Sequence, residues 1–310
     1  MILRIRSGLF LTIMLVLASS LPVPAQTEPM LSQYMFGVQA VNPAYAGSWD
    51  YAGLSILARN QWIELDQHPQ TAWLSFHTPL AKKKAGLGFT LMNDQFGMLL
   101  NQSLFVDYAY AIKVNRKVNL RLGLSGGMLY VTNNFTDLKL IDVDDPVFTG
   151  MPESYWKPNF GVGTYLHSDR FYAGFSIPRL LNTEAETGNN QFELKHLLAM
   201  GGFVIPLSDG IDMKPSCMVR YWTDAPMVTD FNLSFLLASR FWMGAMLRTG
   251  REIGYGFNAN LLLARQLRIG YAYDLSNMGG LSSFAAATHE IVVSFEFRRK
   301  EVSYVSPRYF

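Results

Sequence analysis

Charge is scarce in this sequence. Of its 310 residues, 16% are Asp, Glu, Lys or Arg, against about 25% in ordinary soluble proteins, so the chain is short of the side chains that keep a globule in water. Cysteine is scarcer still. The single Cys217 excludes an intramolecular disulfide, and no cysteine stands at the N-terminal cleavage region to carry a lipid. Beyond the N-terminus there is no uninterrupted apolar run of the ~18 residues that a membrane-spanning helix needs, and a mean hydropathy of +0.10 is too low for a helical membrane bundle. A net charge of +2 gives no reason to propose nucleic acid as a partner. Low charge without a spanning helix points to strands whose lipid-facing residues are hidden by alternation among polar ones.

Alternation is what the sequence has in abundance. Leu104, Val106, Tyr108, Tyr110 and Ile112 alternate with Phe105, Asp107, Ala109, Ala111 and Lys113, the period-2 signature of a strand with two unlike faces. After a polar turn at Asn115, Arg116 and Lys117, Leu120, Leu122, Leu124, Met128 and Tyr130 repeat the pattern. Each arm is about 10 residues, the length a tilted strand needs to cross a bilayer. Comparable runs over residues 51–60, 70–78, 86–93, 103–114, 118–131, 159–167, 171–177, 195–206, 212–222, 229–238, 241–249, 254–263, 267–274 and 289–297 predict an all-β, closed antiparallel transmembrane barrel of about 14 strands. The run 195–206 is the weakest, since Leu197, Leu198, Ala199 and Met200 are apolar on both faces.

Long connections (61–69, 94–102, 132–158, 178–194, 223–228, 250–253 and 275–288) alternate with shorter ones, as outer-membrane barrels require of external loops and periplasmic turns. A charge on the lipid face costs about 2 to 4 kcal/mol at mid-bilayer, which assigns Asp107, Arg121, Arg220 and Glu296 to the lumen. Gly86, Gly88, Gly123, Gly127, Gly161 and Gly163 share that phase and leave room for a plug or permit sharp curvature.

Residues 1–25 read as a signal peptide. Arg4 and Arg6 precede an apolar core from Leu9 to Ala18, and Val23 and Ala25 occupy the positions a signal peptidase prefers, so cleavage is expected after Ala25. Residues 26–50 are irregular, with Asn-Pro and Ala-Gly turn chemistry, and are expected at or inside the barrel. The barrel then spans 51–297, and 298–310 form a periplasmic tail.

The motifs are specific at four places: Asn42-Pro43-Ala44-Tyr45-Ala46-Gly47; Gln61-Trp62 with Ser75-Phe76-His77-Thr78-Pro79-Leu80; Pro158-Asn159-Phe160-Gly161-Val162-Gly163 with Ser168-Asp169-Arg170-Phe171-Tyr172 and Pro178-Arg179-Leu180-Leu181; and Tyr273-Asp274 with Thr288-His289-Glu290-Ile291. In order, and over nearly the whole mature chain, these resemble the PorP/SprF family of outer-membrane proteins associated with type IX secretion and gliding motility. The resemblance implies a barrel that works with periplasmic and lipoprotein components to export or retain large surface proteins. The extension from Arg298 to Phe310 departs from it, and leaves two aromatic residues, Phe297 and Phe310, as candidates for the signal read in barrel assembly.

Chemistry is harder to place. His289-Glu290 invites comparison with a zinc-protease helix, but Val293 stands where the second histidine belongs and the run is a strand; capping lumenal contacts suits the pair better. Asp142, Asp144 and Asp145 lack the spacing and glycine of a calcium loop and read as a solvated acidic loop. The five histidines, His68, His77, His167, His196 and His289, fall in separate elements, and no serine sits in a Gly-x-Ser-x-Gly turn, so neither an enzyme nor a cofactor or metal is expected. Lys82, Lys83 and Lys84 in one turn, and Arg298, Arg299 and Lys300 after the last strand, leave the barrel at the same end. They form a basic rim for anionic headgroups, at ~1 kcal/mol per charge, or a docking patch for a periplasmic partner. The expected function is a non-enzymatic barrel of the secretion machinery; the rival is a passive small-solute porin.

Overall fold

A computed structural model describes residues 30–80, 83–133, 154–183, 190–192, 196–223, 225–250, 253–276 and 287–298. Its strands are β1 (Gly53–Gln61), β2 (Gln70–Leu80), β3 (Ala85–Phe96), β4 (Leu99–Lys113), β5 (Asn119–Asn133), β6 (Ser154–His167), β7 (Phe171–Ile177), β8 (Leu181–Thr183), β9 (Asn190–Phe192), β10 (His196–Phe203), β11 (Ile205–Ser208), β12 (Ile211–Trp222), β13 (Ala225–Leu237), β14 (Phe241–Thr249), β15 (Gly254–Ala264), β16 (Leu267–Ser276) and β17 (Ala287–Glu296). The strands β8 and β9 pair only with each other, as a small hairpin inside the 178–194 connection, and β11 continues β10 along β12. The remaining elements are the fourteen staves of a closed antiparallel barrel, each paired with its sequence neighbours. Closure is by β1 on β17, from Gly53 opposite Glu296 to Gln61 opposite Thr288. In lipid an unsatisfied backbone N–H or C=O costs several kcal/mol, so the first and last strands have to meet.

Each stave separates two environments. On β4, Leu104, Val106, Tyr108, Tyr110 and Ile112 face outward, and Ser103, Asp107 and Ala109 are buried within. Asp107, Arg121, Arg220 and Glu296 all lie buried on the inner face, the phase predicted from the cost of a charge in lipid.

Three stretches expected as connections are partly strand. β3 and β4 run on to a turn at Gly97, whose φ of +57° suits glycine, and Asn93 and Gln102 bond across the ribbon at 2.9 Å. β6 begins at Ser154 rather than 159, with Pro158 opposite Met128. β7 borders β6 only from Val162 to His167, so Pro158 sits toward an edge, where a missing N–H is tolerated. β13 begins at Ala225, opposite Trp222. Conversely, the weak run 195–206 is broken at Val204, which turns inward and donates its N–H to the Arg170 carbonyl at 2.7 Å.

The hydrophobic core is the barrel interior. Three 3-10 turns, Tyr34–Phe36, Val38–Ala40 and Pro43–Tyr45, supply Leu31, Tyr34, Met35, Phe36, Val38, Ala44 and Tyr45 to a cluster completed by wall residues including Leu57, Trp73, Tyr165, Trp242 and Val292. The third turn is started by local chemistry: the Asn42 side chain accepts from Ala44 N at 3.0 Å and Pro43 occupies the first helical position.

Candidate functional site

The segment inside the barrel carries no charged side chain from residue 30 to residue 49, yet the wall around it is charged. Arg59, Arg121, Lys214, Arg220, Asp107, Asp230, Asp274 and Glu290 are each at most 6% exposed. Burying an ion costs several kcal/mol unless partners replace its water, and for Glu290, Arg121 and Arg220 those partners include the segment's main chain. Glu290 accepts from Ser32 N and Gln33 N, both at 2.8 Å. Arg121 donates to the Ala44 and Ala46 carbonyls at 3.1 and 2.5 Å. Arg268 reaches the Phe36 carbonyl at 3.3 Å and Arg220 the Leu31 carbonyl at 3.4 Å.

The wall charges also pair with one another. Arg59 bridges Asp274 and Glu290 at 3.1 Å each, and the Ser32 hydroxyl bonds to both Arg59 and Asp274. Asp230 is held between Arg220 and Arg248, the latter at 2.6 Å. Lys214 lies over the rings of Phe36, Trp242 and Tyr172 at 5.1, 5.5 and 5.7 Å, an arrangement that stabilises a desolvated ammonium. Side chains of the segment are held as well: beside Ser32, Gln39 donates to Asp107 at 3.1 Å and to the Phe76 carbonyl at 3.3 Å, and Asn42 to the Thr164 carbonyl at 2.9 Å.

Glycines let the main chain come this close. A Cβ at Gly88, Gly123 or Gly163 would stand 2.2 Å from Gln39 Nε2, Ala44 N or Asn42 Oδ1 respectively, and one at Gly86 would stand 2.1 Å from the Ala46 carbonyl oxygen. Gly127 and Gly161 differ. Their nearest atoms are the carbonyl oxygens of Leu104 on β4 at 2.1 Å and of Pro178 just past β7 at 2.6 Å, so these two admit neighbouring wall and connection backbone and not the inner segment.

Of the residues singled out in the sequence, Asn42, Pro43, Ala44 and Tyr45 are all buried in the third turn. Glu290 and His289 part company, as neighbours on a strand must. Glu290 points inward, while His289 bonds the outward Tyr271 hydroxyl at 2.6 Å, so the lumenal role expected of the pair falls to Glu290 alone. Lys83 reaches the exposed Asp50 at 2.7 Å, and Arg298 reaches Glu296 at 2.6 Å. Lys82, Arg299, Lys300, Asp142, Asp144, Asp145 and residues 1–25 lie outside the described residues. Arg59, Lys214, Arg248 and Arg268 join the site without belonging to any motif; their signal in the sequence is a basic residue in the lumenal phase of an alternating run. Motifs distant in sequence meet here: Asp274 and Glu290 share Arg59, and Asn159 binds Leu180 N at 3.0 Å and the Leu181 carbonyl at 2.7 Å.

The family profile described as "Type IX secretion system membrane protein PorP/SprF" matches residues 23–295. No curated protein matches the sequence. Among solved structures, the CymD monoaromatic hydrocarbon channel superposes with a TM-score of 0.52 at 12% identity, covering 87% of this chain and 94% of that one. The TodX deltaS2S3 mutant monoaromatic hydrocarbon channel gives 0.50 at 10% identity, covering 86% and 94%. Omp33 of Acinetobacter baumannii gives 0.49 at 6% identity, covering 80% and 98%. At such identities the likeness is one of fold, that of outer-membrane barrels.

Proposed function

Since the chain belongs to the PorP/SprF family of type IX secretion system membrane proteins, non-enzymatic outer-membrane barrels, we propose that it serves that machinery as a closed scaffold rather than as a pore. It docks periplasmic and lipoprotein components at its short-turn end and so helps to export or retain surface proteins. The observation that carries the reading is the filled lumen: an uncharged segment held by ionised wall residues through its main chain. A porin leaves its interior polar and wet, whereas here Tyr34, Ala44 and Ala46 are 0% exposed inside the barrel.

The docking surface is the basic rim, where Lys83 projects beside Asp50 and Arg298 leaves β17. Anionic headgroups compete for the same charges. Two measurements separate the alternatives. In planar bilayers the full chain is expected to show no stable channel, and a chain lacking residues 26–50 to conduct; a stable channel from the full chain would establish the porin instead. Reversing Lys82, Lys83, Lys84, Arg298, Arg299 and Lys300 is expected to deplete the proteins recovered with the barrel from native membranes. Recovery of the same set would remove the docking role of the rim.

A further inference from the structure

The lumen holds residues 30–47 in two ways, through the apolar cluster they share with the wall and through polar contacts to their main chain. Five wall side chains bind the segment at main-chain atoms: Glu290, Arg121, Arg268 and Arg220 as described, and Ser176, which donates to the Val41 carbonyl at 2.6 Å. Such contacts read a polypeptide by its amides, in addition to the side-chain contacts of Ser32, Gln39 and Asn42. Two of the four glycines that admit it act the same way, since a Cβ at Gly123 or Gly86 would collide with main-chain atoms of Ala44 or Ala46, whereas one at Gly88 or Gly163 would meet the Gln39 or Asn42 side chain. No stave depends on the segment. All fourteen are paired on both sides by other staves, and residues 30–47 contribute no strand to the sheet. Withdrawing them leaves every ladder of the barrel intact.

The charges sharpen the point. A permanently dry interior is built as stably, or more so, from apolar side chains as from buried ion pairs, whereas ionised residues facing an emptied lumen would regain water, and only the apolar wall residues such as Leu57, Trp73, Trp242 and Val292 would need a new cover. The wall is therefore suited to an uncharged chain that meets its ions with amides and its apolar residues with side chains, whichever molecule supplies that chain. We propose that the lumen is a receptor for an uncharged, tightly turned polypeptide segment, and that residues 30–47 are its exchangeable ligand, replaceable by a segment of the same chemistry supplied in trans. This rests on the reading of the barrel as closed.

The test uses the full chain with a protease site inserted between Ser48 and Tyr51, next to the exposed Asp50. After folding in detergent the site is cut, and a fluorescent peptide of residues 26–50 is added. Exchange is expected: the cut fragment is released, the labelled peptide binds saturably, and unlabelled peptide displaces it. A peptide with lysines in place of Ala44 and Ala46, or a barrel carrying Gly123→Val, should bind at least about tenfold more weakly, the loss expected from one interaction of ordinary strength. Retention of the cut fragment with no entry of labelled peptide, or equal binding of the lysine peptide, would overturn the proposal. The same samples go into planar bilayers before cutting. A channel there defeats the closed-scaffold function itself, while a closed uncut chain that fails to exchange defeats only the receptor.

Discussion

At the scale of single residues, Glu290 is the contact on which most else converges. Its two oxygens accept from Ser32 N, Gln33 N and Arg59. Glu290→Gln keeps the shape but removes the charge and leaves one amide NH2 facing a donor. Hydrogen bonds to charged groups contribute about 1.5–3 kcal/mol, against roughly 1 for neutral ones, so the substitution should free the segment by 1 kcal/mol or somewhat more while the barrel stays folded. The readout is labelling of Ala44→Cys, in a Cys217→Ser background, by a membrane-impermeant maleimide, because a buried thiol reacts in proportion to the fraction of time its surroundings are open. The rate should rise roughly tenfold, the equivalent of about 1.4 kcal/mol; an unchanged rate would mean that the carboxylate is not what retains the segment. That Glu290 faces inward was legible from the alternation of Ile291, Val293 and Phe295 around it. Its partner was not: Arg59 lies 231 residues away in sequence, and only the pairing of β1 with β17 brings them together. The glycines were legible to the same depth, since phase put all six in the lumen but could not say that four meet the inner segment while Gly127 meets β4 and Gly161 the exit of β7.

At the scale of elements, periodicity located the staves because lipid on one side and a filled lumen on the other impose opposite demands on alternate residues. Where the wall leaves the lipid the demand lapses. Asn93, Asp94, Asn101 and Gln102 are polar on both faces, so the extension of β3 and β4 to Gly97 had no alternating signal, although cross-strand bonds such as Asn93 to Gln102 sustain it. The same loss of signal hid the start of β6, and there one side chain has an outsized part. Asn159 Oδ1 accepts from the N–H groups of Phe160, Leu180 and Leu181 at 2.9, 3.0 and 3.2 Å, and its Nδ2 donates to the Leu181 carbonyl. It folds the exit of β7 back across the upper part of β6, beyond the last β6 to β7 pair at Val162. Asn159→Ala strips these bonds at once; Leu180 N keeps the Phe160 carbonyl at 2.9 Å, while the part-buried Leu181 loses partners at about 1 kcal/mol per bond. Limited proteolysis should then cut the 178–194 connection faster, with the heat-stable mobility of the barrel on a denaturing gel unchanged. If cleavage there is no faster, Asn159 is not what fastens the connection.

For the whole molecule, everything depends on one seam. Nine residue pairs join β1 to β17, and they set the phase of both the wall and the interior. A slip of one residue reverses the faces of a strand, which here would swing Arg59 toward lipid, at about 2–4 kcal/mol near mid-bilayer, and break its bridges to Asp274 and Glu290. The seam can be tested through Ser55 and Ser294, opposite one another with hydroxyls 3.0 Å apart and both buried in the lumen. In a Cys217→Ser background, Ser55→Cys with Ser294→Cys should oxidise to a disulfide, because the two hydroxyls already meet at 3.0 Å and directly opposed residues hold their Cβ atoms about 4.5–5.5 Å apart, near enough for a small shift to reach the bond's geometry. The two positions are 239 residues apart, so the product is a covalent ring of most of the barrel: it should migrate faster than the reduced chain after boiling. In the chain-entropy account a loop this long raises stability by about 5 kcal/mol, and the unfolding midpoint should rise with it. Ile56→Cys with Ser294→Cys is the register control, since Ile56 stands opposite Val293 and faces outward. Crosslinking of that second pair, or failure of the first, would place β1 and β17 in another register or apart, and with it would go the assignment of Arg59, Asp274 and Glu290 to the lumen.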